Sequence, residues 1–445
     1  MTDKESMQDN RNHASDHERT SSERGASEPG RADRRRRVVI TGLGVKTPAG
    51  CDLKTFTKTI FAGMPTAAPA TRFDTTGLPS KIACQVDDFD PGRYMSGKEL
   101  RRTDRTAQLG FAAAMDAVAD AGQPSADHGR AGIVSGVALG GMQSICDQAL
   151  VAHTKGGAAI SPMSVPKILF NAPGALISQE LAWRGPNITI ATACASGSDA
   201  IGMGARYVQD GTADVILAGA CDSGGVTLVI IGAFGHSGGL STRNDDPAHA
   251  CRPFDADRDG YIMGEGAAYL VLEERDRALA RGAHMYGEVI GYASGCDAHH
   301  ITAPQPQGRW TSQLMMAAIS DAGLVPDDIR QVNCHATGTP LGDAAEAAAL
   351  RAVFADRQPP VTSCKGVFGH LVAASGAAEA AVAALSARDG LVPPTAGHER
   401  LGADCHGIDV VAGEPRRVAP GPALSNSFGL GGQNASIVLA PPPQD

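Results

Sequence analysis

Short apolar runs alternate with longer alanine-rich stretches from residue 37 onward, and this alternation predicts the secondary structure. Eight runs have the length and the branched apolar residues of buried strands, whereas five longer stretches have helical character. The predicted strands are RVVITGLG (37–44), AGIVSGVALGG (131–141), NITIATAC (187–194), ADVILAGACD (213–222), AAYLVLEE (267–274), GEVIGYASGCD (287–297), QVNCHATGT (331–339) and GIDVVAG (407–413). The predicted helices are residues 103–121, 197–209, 311–323, 343–355 and 374–388. Strands and helices in alternation predict an α/β fold with layered sheets.

The first 36 residues differ from the rest because they contain almost no large apolar side chains. They are rich in Ser, Asp, Glu, Arg and Asn. Such a segment cannot bury enough apolar surface to offset the entropy of ordering, so residues 1–36 are predicted to be a disordered tail. The arginine run at its end is interpreted as part of this solvated tail rather than as a binding site.

Composition narrows the classes of protein that remain. The 445 residues have a net charge of −9, and the excess of acidic groups lies after residue 37, which argues against general binding of nucleic acid. Ten cysteines are scattered without a CxxC pair, so neither a zinc ribbon nor a disulfide framework is expected. Free cysteines in this number predict a location in the reducing cytoplasm. No apolar run is long enough for a membrane span, so no membrane association is expected. DADRDGYIMGE (255–265) begins like a calcium loop but lacks the glutamate at the required position, and no metal is expected.

Cys194 is the first candidate for chemistry. It lies where a predicted strand passes into a predicted helix, among alanine, serine and glycine. The free N–H groups and the dipole of a helix start favour a thiolate, so a lowered pKa is expected for Cys194. The same N–H groups can stabilise an oxyanion by donating hydrogen bonds to it. A packed structural cysteine is the alternative on these residues alone.

Two histidines and a lysine lie in similar loops much later in the chain. His335 follows a predicted strand, and His370 lies five residues after Lys365 in a second glycine-rich loop. The sequences around Cys194 and His370 also have the same order of strand, loop and small-residue helix. We therefore expect these side chains to share one pocket, with Lys365 partly buried and paired with Glu346.

Six motifs in this chain resemble those of the elongating β-ketoacyl-acyl-carrier-protein synthases, condensing enzymes of the thiolase-like superfamily. The resemblance covers residues 37 to 440. The motifs are VVITGLGVKTPAG (38–50), TACASGSDAIG (192–202), LSTRNDDPAHACRPFDADRDGYIMGEGA (240–267), CHATGTPLGDAAE (334–346), KGVFGHLVAASGAAE (365–379) and NSFGLGGQN (426–434). The resemblance implies a five-layered αβαβα fold of two similar halves, residues 37–285 with the nucleophile and residues 286–445 with the catalytic histidines.

The resemblance also implies the role of each site residue. Cys194 corresponds to the nucleophile, His335 and His370 to the catalytic histidines, and Lys365 and Glu346 to the supporting charged pair. Phe428 corresponds to the gating phenylalanine. The backbone N–H groups of Cys194 and Phe428 correspond to the oxyanion hole. The residues that correspond to the phosphopantetheine-binding threonines are Thr337 and Thr339.

The implied reaction joins a cysteine-bound acyl chain to malonyl-acyl carrier protein with loss of CO2, in fatty acid or type II polyketide or polyene synthesis. No cofactor is implied. The implied partners are an acyl carrier protein and a second chain, either a copy of this one or a related chain-length subunit. Lys98, Arg101 and Arg102 would form one basic face of a helix, suited to an acidic carrier protein.

Four positions depart from the usual family pattern. Ala373 and Ser375 add bulk to the start of the helix after His370, Leu430 replaces a common phenylalanine beside the gate, and Cys334 replaces an alanine before His335. These departures leave the acyl-chain preference open. Two other functions fit the sequence less well. A non-catalytic chain-length partner would lack the nucleophile, and a thiolase acting on acyl-CoA would need a second cysteine within residues 424–436, where there is none.

Overall fold

The computed structural model describes residues 35–443, which fold around one large mixed sheet. The prediction of a disordered tail falls on residues that lie outside this range, apart from its last two positions. Of these, Arg36 forms an ion pair with Asp214, and its neighbour Arg37 forms a bidentate pair with Glu288. Arg36, the last residue of the predicted tail, is therefore held by an ion pair.

Fifteen strands occur in the described residues. They are β1 (Val38–Lys46), β2 (Ala68–Pro69), β3 (Ile82–Ala83), β4 (Ala131–Gly136), β5 (Asn187–Ile190), β6 (Val215–Asp222), β7 (Gly266–Glu274), β8 (Gly287–Cys296), β9 (Gln331–Asn333), β10 (Pro360–Thr362), β11 (Leu391–Val392), β12 (Asp409–Val410), β13 (Arg416–Arg417), β14 (Ala423–Phe428) and β15 (Gln433–Ala440). All eight strands predicted from the apolar runs are present. Five of them, β4, β5, β8, β9 and β12, end before the predicted ends of their runs.

Thirteen α-helices occur in the same residues. They are α1 (Leu53–Phe61), α2 (Gly97–Leu100), α3 (Arg105–Asp120), α4 (Met142–Lys155), α5 (Ser164–Ile168), α6 (Ala172–Leu181), α7 (Ser196–Gln209), α8 (Leu228–His236), α9 (Arg275–Ala280), α10 (Arg309–Asp321), α11 (Pro340–Phe354), α12 (Lys365–Phe368) and α13 (Ala373–Asp389). The five predicted helices correspond to α3, α7, α10, α11 and α13. No helix in the described range is long and apolar enough to cross a membrane.

The sheet contains the same five-stranded arrangement twice. One half has the order β5-β4-β6-β7-β1 and the other β10-β9-β14-β15-β8, with β12 added at the outer edge of the second half. In both halves the first three strands are parallel, and the last two are antiparallel to their neighbours. The halves join through a short antiparallel contact between β1 and β8. The predicted αβαβα architecture of two similar halves is confirmed.

The helices form the remaining layers. α3 packs on the outer face of the first half and α10 on the outer face of the second. α7 and α13 lie between the halves and also contact each other. The strands at the centre are buried along almost their whole length, which explains why they appear in the sequence as continuous apolar runs.

Small residues allow the two central helices to approach closely. A Cβ atom on Gly197 of α7 would lie 2.6 Å from the backbone nitrogen of Ala377 in α13. A Cβ on Gly376 would lie 2.5 Å from Oγ of Ser198. Larger side chains at this crossing would separate the starts of α7 and α13. Those starts carry Cys194 and His370, so the crossing sets the geometry of the site.

Candidate active site

Cys194 lies in a tight turn immediately before α7. Ala193, which precedes it, has a φ of +50°, a left-handed conformation that non-glycine residues rarely adopt. Ser196 holds the turn, because its Oγ donates to the carbonyl of Ala193 (2.7 Å) and accepts from the N–H of Thr192 (2.9 Å). The Cys194 side chain is only 8% exposed. The turn therefore presents Sγ inside the protein rather than at its surface.

His370 lies between α12 and α13 and faces Cys194. Its backbone is fixed to the segment before β7, because its N–H donates to the carbonyl of Ile262 (2.8 Å) and its carbonyl accepts from Gly264 (2.8 Å). Nε2 of the ring lies 3.1 Å from Sγ of Cys194, within hydrogen-bonding distance. Nδ1, on the opposite side of the ring, lies 2.9 Å from Oγ of Ser375.

His335 completes a group of three reactive side chains. It follows β9, and its ring centroid lies 5.4 Å from that of His370. Sγ of Cys194 and a ring nitrogen of each histidine all lie within 4.8 Å of one another. The expectation that Cys194, His335 and His370 share one pocket is confirmed geometrically. Nδ1 of His335 is buried and has no hydrogen-bond partner within the described part of the chain.

The predicted pairing of Lys365 with Glu346 is wrong. Lys365 is fully buried and donates to Glu379 of α13, with Nζ 2.5 Å from Oε1. Glu346 instead accepts the backbone N–H groups of His335 (3.0 Å) and Ala336 (2.7 Å), so it holds the loop that carries His335. The sequence left several acidic residues within reach of Lys365, and only the packing of α12 on α13 selects Glu379.

Burial and one charge dominate the electrostatics of the site. Burial lowers the pKa of His335 and of His370 well below the ordinary value, and the nearby Lys365 ammonium lowers both further. Both imidazoles are therefore neutral at physiological pH and available as N–H donors. Burial raises the pKa of Glu346 to about 7, although the hydrogen bonds from the N–H groups of Ala336 and His335 lower it.

The expectation of a lowered pKa for Cys194 is wrong. Burial raises the pKa of this thiol to about 11, while the N–H of Leu430 and the charge of Lys365 act in the opposite direction. The start of α7 favours the thiolate, but the loss of solvent around the sulfur is the larger effect. The free protein therefore holds Cys194 largely as a thiol, and its ionisation depends on the groups around it.

Phe428 lies at the end of β14 beside the histidines. Its ring centroid lies 5.9 Å from that of His335. A Cβ on the following Gly429 would lie 2.9 Å from the carbonyl of Thr192 and 3.3 Å from the backbone nitrogen of Cys194. The segment predicted to act as a gate thus lies against the turn that carries Cys194.

Thr337 and Thr339 lie together at the start of α11. Their Oγ1 atoms are 3.0 Å apart, and Thr339 caps the helix by accepting from Gly342. Lys98, Arg101 and Arg102 are all exposed, but α2 ends at residue 100, so these three residues form one helical turn and its continuation rather than a long basic face.

Three residues near the site had no assigned role in the sequence analysis. Glu379 is the partner of Lys365, Ser375 contacts His370, and the ring centroid of Tyr261 lies 5.4 Å from that of His370. Ser375 was noted only for its bulk. A buried lysine usually has an acidic partner, but the sequence offers several acidic residues and does not single out Glu379.

Comparison with known proteins agrees with this geometry. Models of the β-ketoacyl synthase N-terminal and C-terminal domains match residues 35–278 and 286–399. A 3-oxoacyl-[acyl-carrier-protein] synthase 2 of Synechocystis sp. is 38% identical over 91% of this chain and 98% of its own length. The structure of the ishigamide ketosynthase/chain length factor is 34% identical with a TM-score of 0.85, and covers 92% of this chain and all of the other. A type II polyketide synthase complex, AntDE:AntF, is 28% identical with a TM-score of 0.84 and the same coverage.

The fold and the cysteine–histidine–histidine group define a condensing enzyme of the thiolase-like class, an acyltransferase. The chain belongs to the β-ketoacyl synthase family, as the six motifs indicated.

Proposed function

We propose that Cys194 takes up an acyl group from an acyl carrier protein and that the histidines then direct its condensation with a malonyl unit. The observation that carries this proposal is the 3.1 Å contact between Sγ of Cys194 and Nε2 of His370, with His335 beside them. In the first step the cysteine thiolate attacks the acyl thioester, and the carrier leaves as its thiol. The N–H groups of Cys194 and Phe428 are proposed to hold the oxyanion.

The second step forms the carbon–carbon bond. Malonyl carrier protein binds, the bond to its free carboxyl group breaks, and CO2 leaves while the electron pair forms an enolate. N–H groups of the neutral His335 and His370 stabilise the enolate oxygen. The enolate carbon attacks the acyl-cysteine, and collapse of the tetrahedral intermediate releases β-ketoacyl carrier protein and regenerates the thiolate. Because decarboxylation drives the step, neither a metal nor a redox cofactor is required.

A second chain is proposed to cover the free edge of the sheet. β5 is the last strand of the first half, and its Ile188 is exposed. Several apolar side chains of the neighbouring segment are exposed as well: Ile145, Leu150, Ile160, Val165, Leu169 and Phe170. Exposed apolar groups next to an edge strand with one free side are typical of a protein–protein interface. Since one structural relative is a ketosynthase/chain length factor, the partner is either a second copy or a related subunit.

The activity is tested with purified protein, malonyl carrier protein and acyl carrier proteins of graded chain length and oxidation state. We expect β-ketoacyl carrier protein and an equal amount of CO2, measured by intact-mass spectrometry and radiolabel release. Product formed by the chain alone supports a homodimer in fatty acid synthesis. Product that requires a co-expressed chain-length subunit supports a type II polyketide or polyene pathway. Acyl-CoA cleavage without a carrier protein would contradict the proposal.

Lys98, Arg101 and Arg102 are proposed to bind the acidic carrier protein. Arg101→Glu is expected to raise KM for acyl carrier protein about fivefold, with kcat unchanged, because one favourable charge contact becomes repulsive. The effect should shrink as salt is added. Arg417→Glu makes the same charge change at an exposed site elsewhere and serves as the control. Equal KM values for the two variants would place the carrier on another surface.

A further inference from the structure

Ser375 contacts His370 on the side of the ring that faces away from Cys194. It lies in the first turn of α13 and is fully buried. Its Oγ accepts the backbone N–H of Leu371 at 2.8 Å and lies 2.9 Å from Nδ1 of His370. The hydroxyl therefore joins the backbone to the ring that faces the nucleophile.

The hydrogen bonds of Ser375 determine where the proton of His370 resides. A hydroxyl has a single proton to donate, and its oxygen already accepts from Leu371. Within residues 35–443 the acceptor in reach of that proton is Nδ1 of His370. If Nδ1 carried the ring proton instead, the serine proton would be buried without an acceptor, which is costly. The arrangement therefore favours the neutral tautomer with hydrogen on Nε2.

We propose that Ser375 is a positioning residue that keeps the proton of His370 on Nε2, so that this N–H points at Sγ of Cys194. The inference rests on the proposed role of Cys194 as nucleophile. An N–H directed at sulfur favours the thiolate over the thiol, which offsets part of the effect of burial on Cys194. The same N–H is the donor required by the enolate in the condensation step.

Other ionisable groups around Cys194 come from each element packed against it. Lys365 of α12 favours the thiolate, whereas Asp222 of β6 and Glu379 of α13 oppose it. His335 and Tyr261 complete the surroundings and carry no charge at neutral pH, because burial lowers the pKa of the first and raises that of the second. None of these groups touches Nδ1 of His370, so a substitution at Ser375 changes the tautomer without removing a charge.

The test is the pH dependence of Cys194 alkylation by iodoacetamide in the full-length protein. The tryptic peptide of residues 185–206 contains Cys194 as its single cysteine, so mass spectrometry follows this thiol alone. Ser375→Ala is expected to move the alkylation profile about one pH unit higher, which is about a tenfold lower rate at pH 7. kcat for condensation is expected to fall by a similar factor, with KM for acyl carrier protein unchanged.

Ser386→Ala is the matched control. Ser386 is a buried serine of the same helix, and its hydroxyl has no partner within the described residues. The Ser386→Ala variant should have the same alkylation profile as the unsubstituted protein. Ser375→Thr retains a hydroxyl and should therefore retain most of the alkylation rate.

The outcomes separate the inference from the proposed function. If wild-type Cys194 is not acylated by acyl carrier protein, the assignment of the nucleophile fails. If it is acylated but Ser375→Ala and Ser386→Ala have the same alkylation profile, the nucleophile stands and the role of Ser375 is overturned. A loss of kcat in Ser375→Ala without a shifted profile would also overturn it, because a purely structural change would have that effect.

Discussion

Replacing Cys194 with alanine is expected to abolish the acyl-enzyme and to lower the rate of condensation by at least about a thousandfold. The covalent route requires a nucleophile at this position, and in the described residues Sγ of Cys194 is the thiol grouped within 4.8 Å of a ring nitrogen of both histidines. The substitution removes one atom from a small, nearly buried side chain, so the fold should remain. Intact-mass spectrometry after incubation with acyl carrier protein measures the result.

Cys334→Ala serves as the control for this experiment. Cys334 is fully buried and directly precedes His335, but its side chain packs in the hydrophobic cluster that contains Met315 and Leu350. We expect this variant to form the acyl-enzyme normally. Malonyl decarboxylation should persist in Cys194→Ala, since His335 and His370 remain in place. An acyl adduct of undiminished yield in Cys194→Ala would show that another residue is the nucleophile.

Replacing Lys365 with methionine is expected to lower the free energy of unfolding by about 3 to 5 kcal/mol. Both Lys365 and Glu379 are fully buried, so the substitution leaves a carboxyl group without its counter-charge. Burial raises the pKa of Glu379 to about 7, with Lys365 acting against it. Without the lysine this pKa rises further, and Glu379 takes up a proton at low pH. The destabilisation is therefore expected to be smaller at pH 6 than at pH 8, as measured by urea unfolding.

The same substitution should alter catalysis in a defined direction. The Lys365 charge lowers the pKa of His335 and of His370, so its removal raises both. The acid limb of the kcat profile should consequently move to higher pH. The double variant Lys365→Met/Glu379→Gln should recover part of the stability, because no buried charge is left unpaired.

Lys46→Met provides the comparison for stability. Lys46 is also buried, but its partner Asp116 is about one-third exposed and keeps some contact with solvent. We expect a smaller loss than for Lys365→Met. Equal losses, together with no recovery in the double variant, would contradict the role assigned to the buried pair.

Much of the fold was predictable because its central strands are buried on both faces. Such strands appear as continuous apolar runs, and all eight that were predicted are present. The grouping of Cys194, His335 and His370 could be predicted because each follows a strand in a loop of small residues, and the motifs around them are specific to one family. The partner of Lys365 could not be found in this way, since ion pairing depends on which helices pack together.

The family, the alternation of strands and helices, and the candidate roles of Cys194, His335 and His370 were all predicted from the amino-acid sequence. These follow from residue type and local pattern. Only the tertiary structure decided the pKa of the thiol, the pairing of Lys365 with Glu379 and the contact between Ser375 and His370. Each of these depends on how much solvent is excluded and on which side chains meet where α7 and α13 cross, and both are properties of the packed chain.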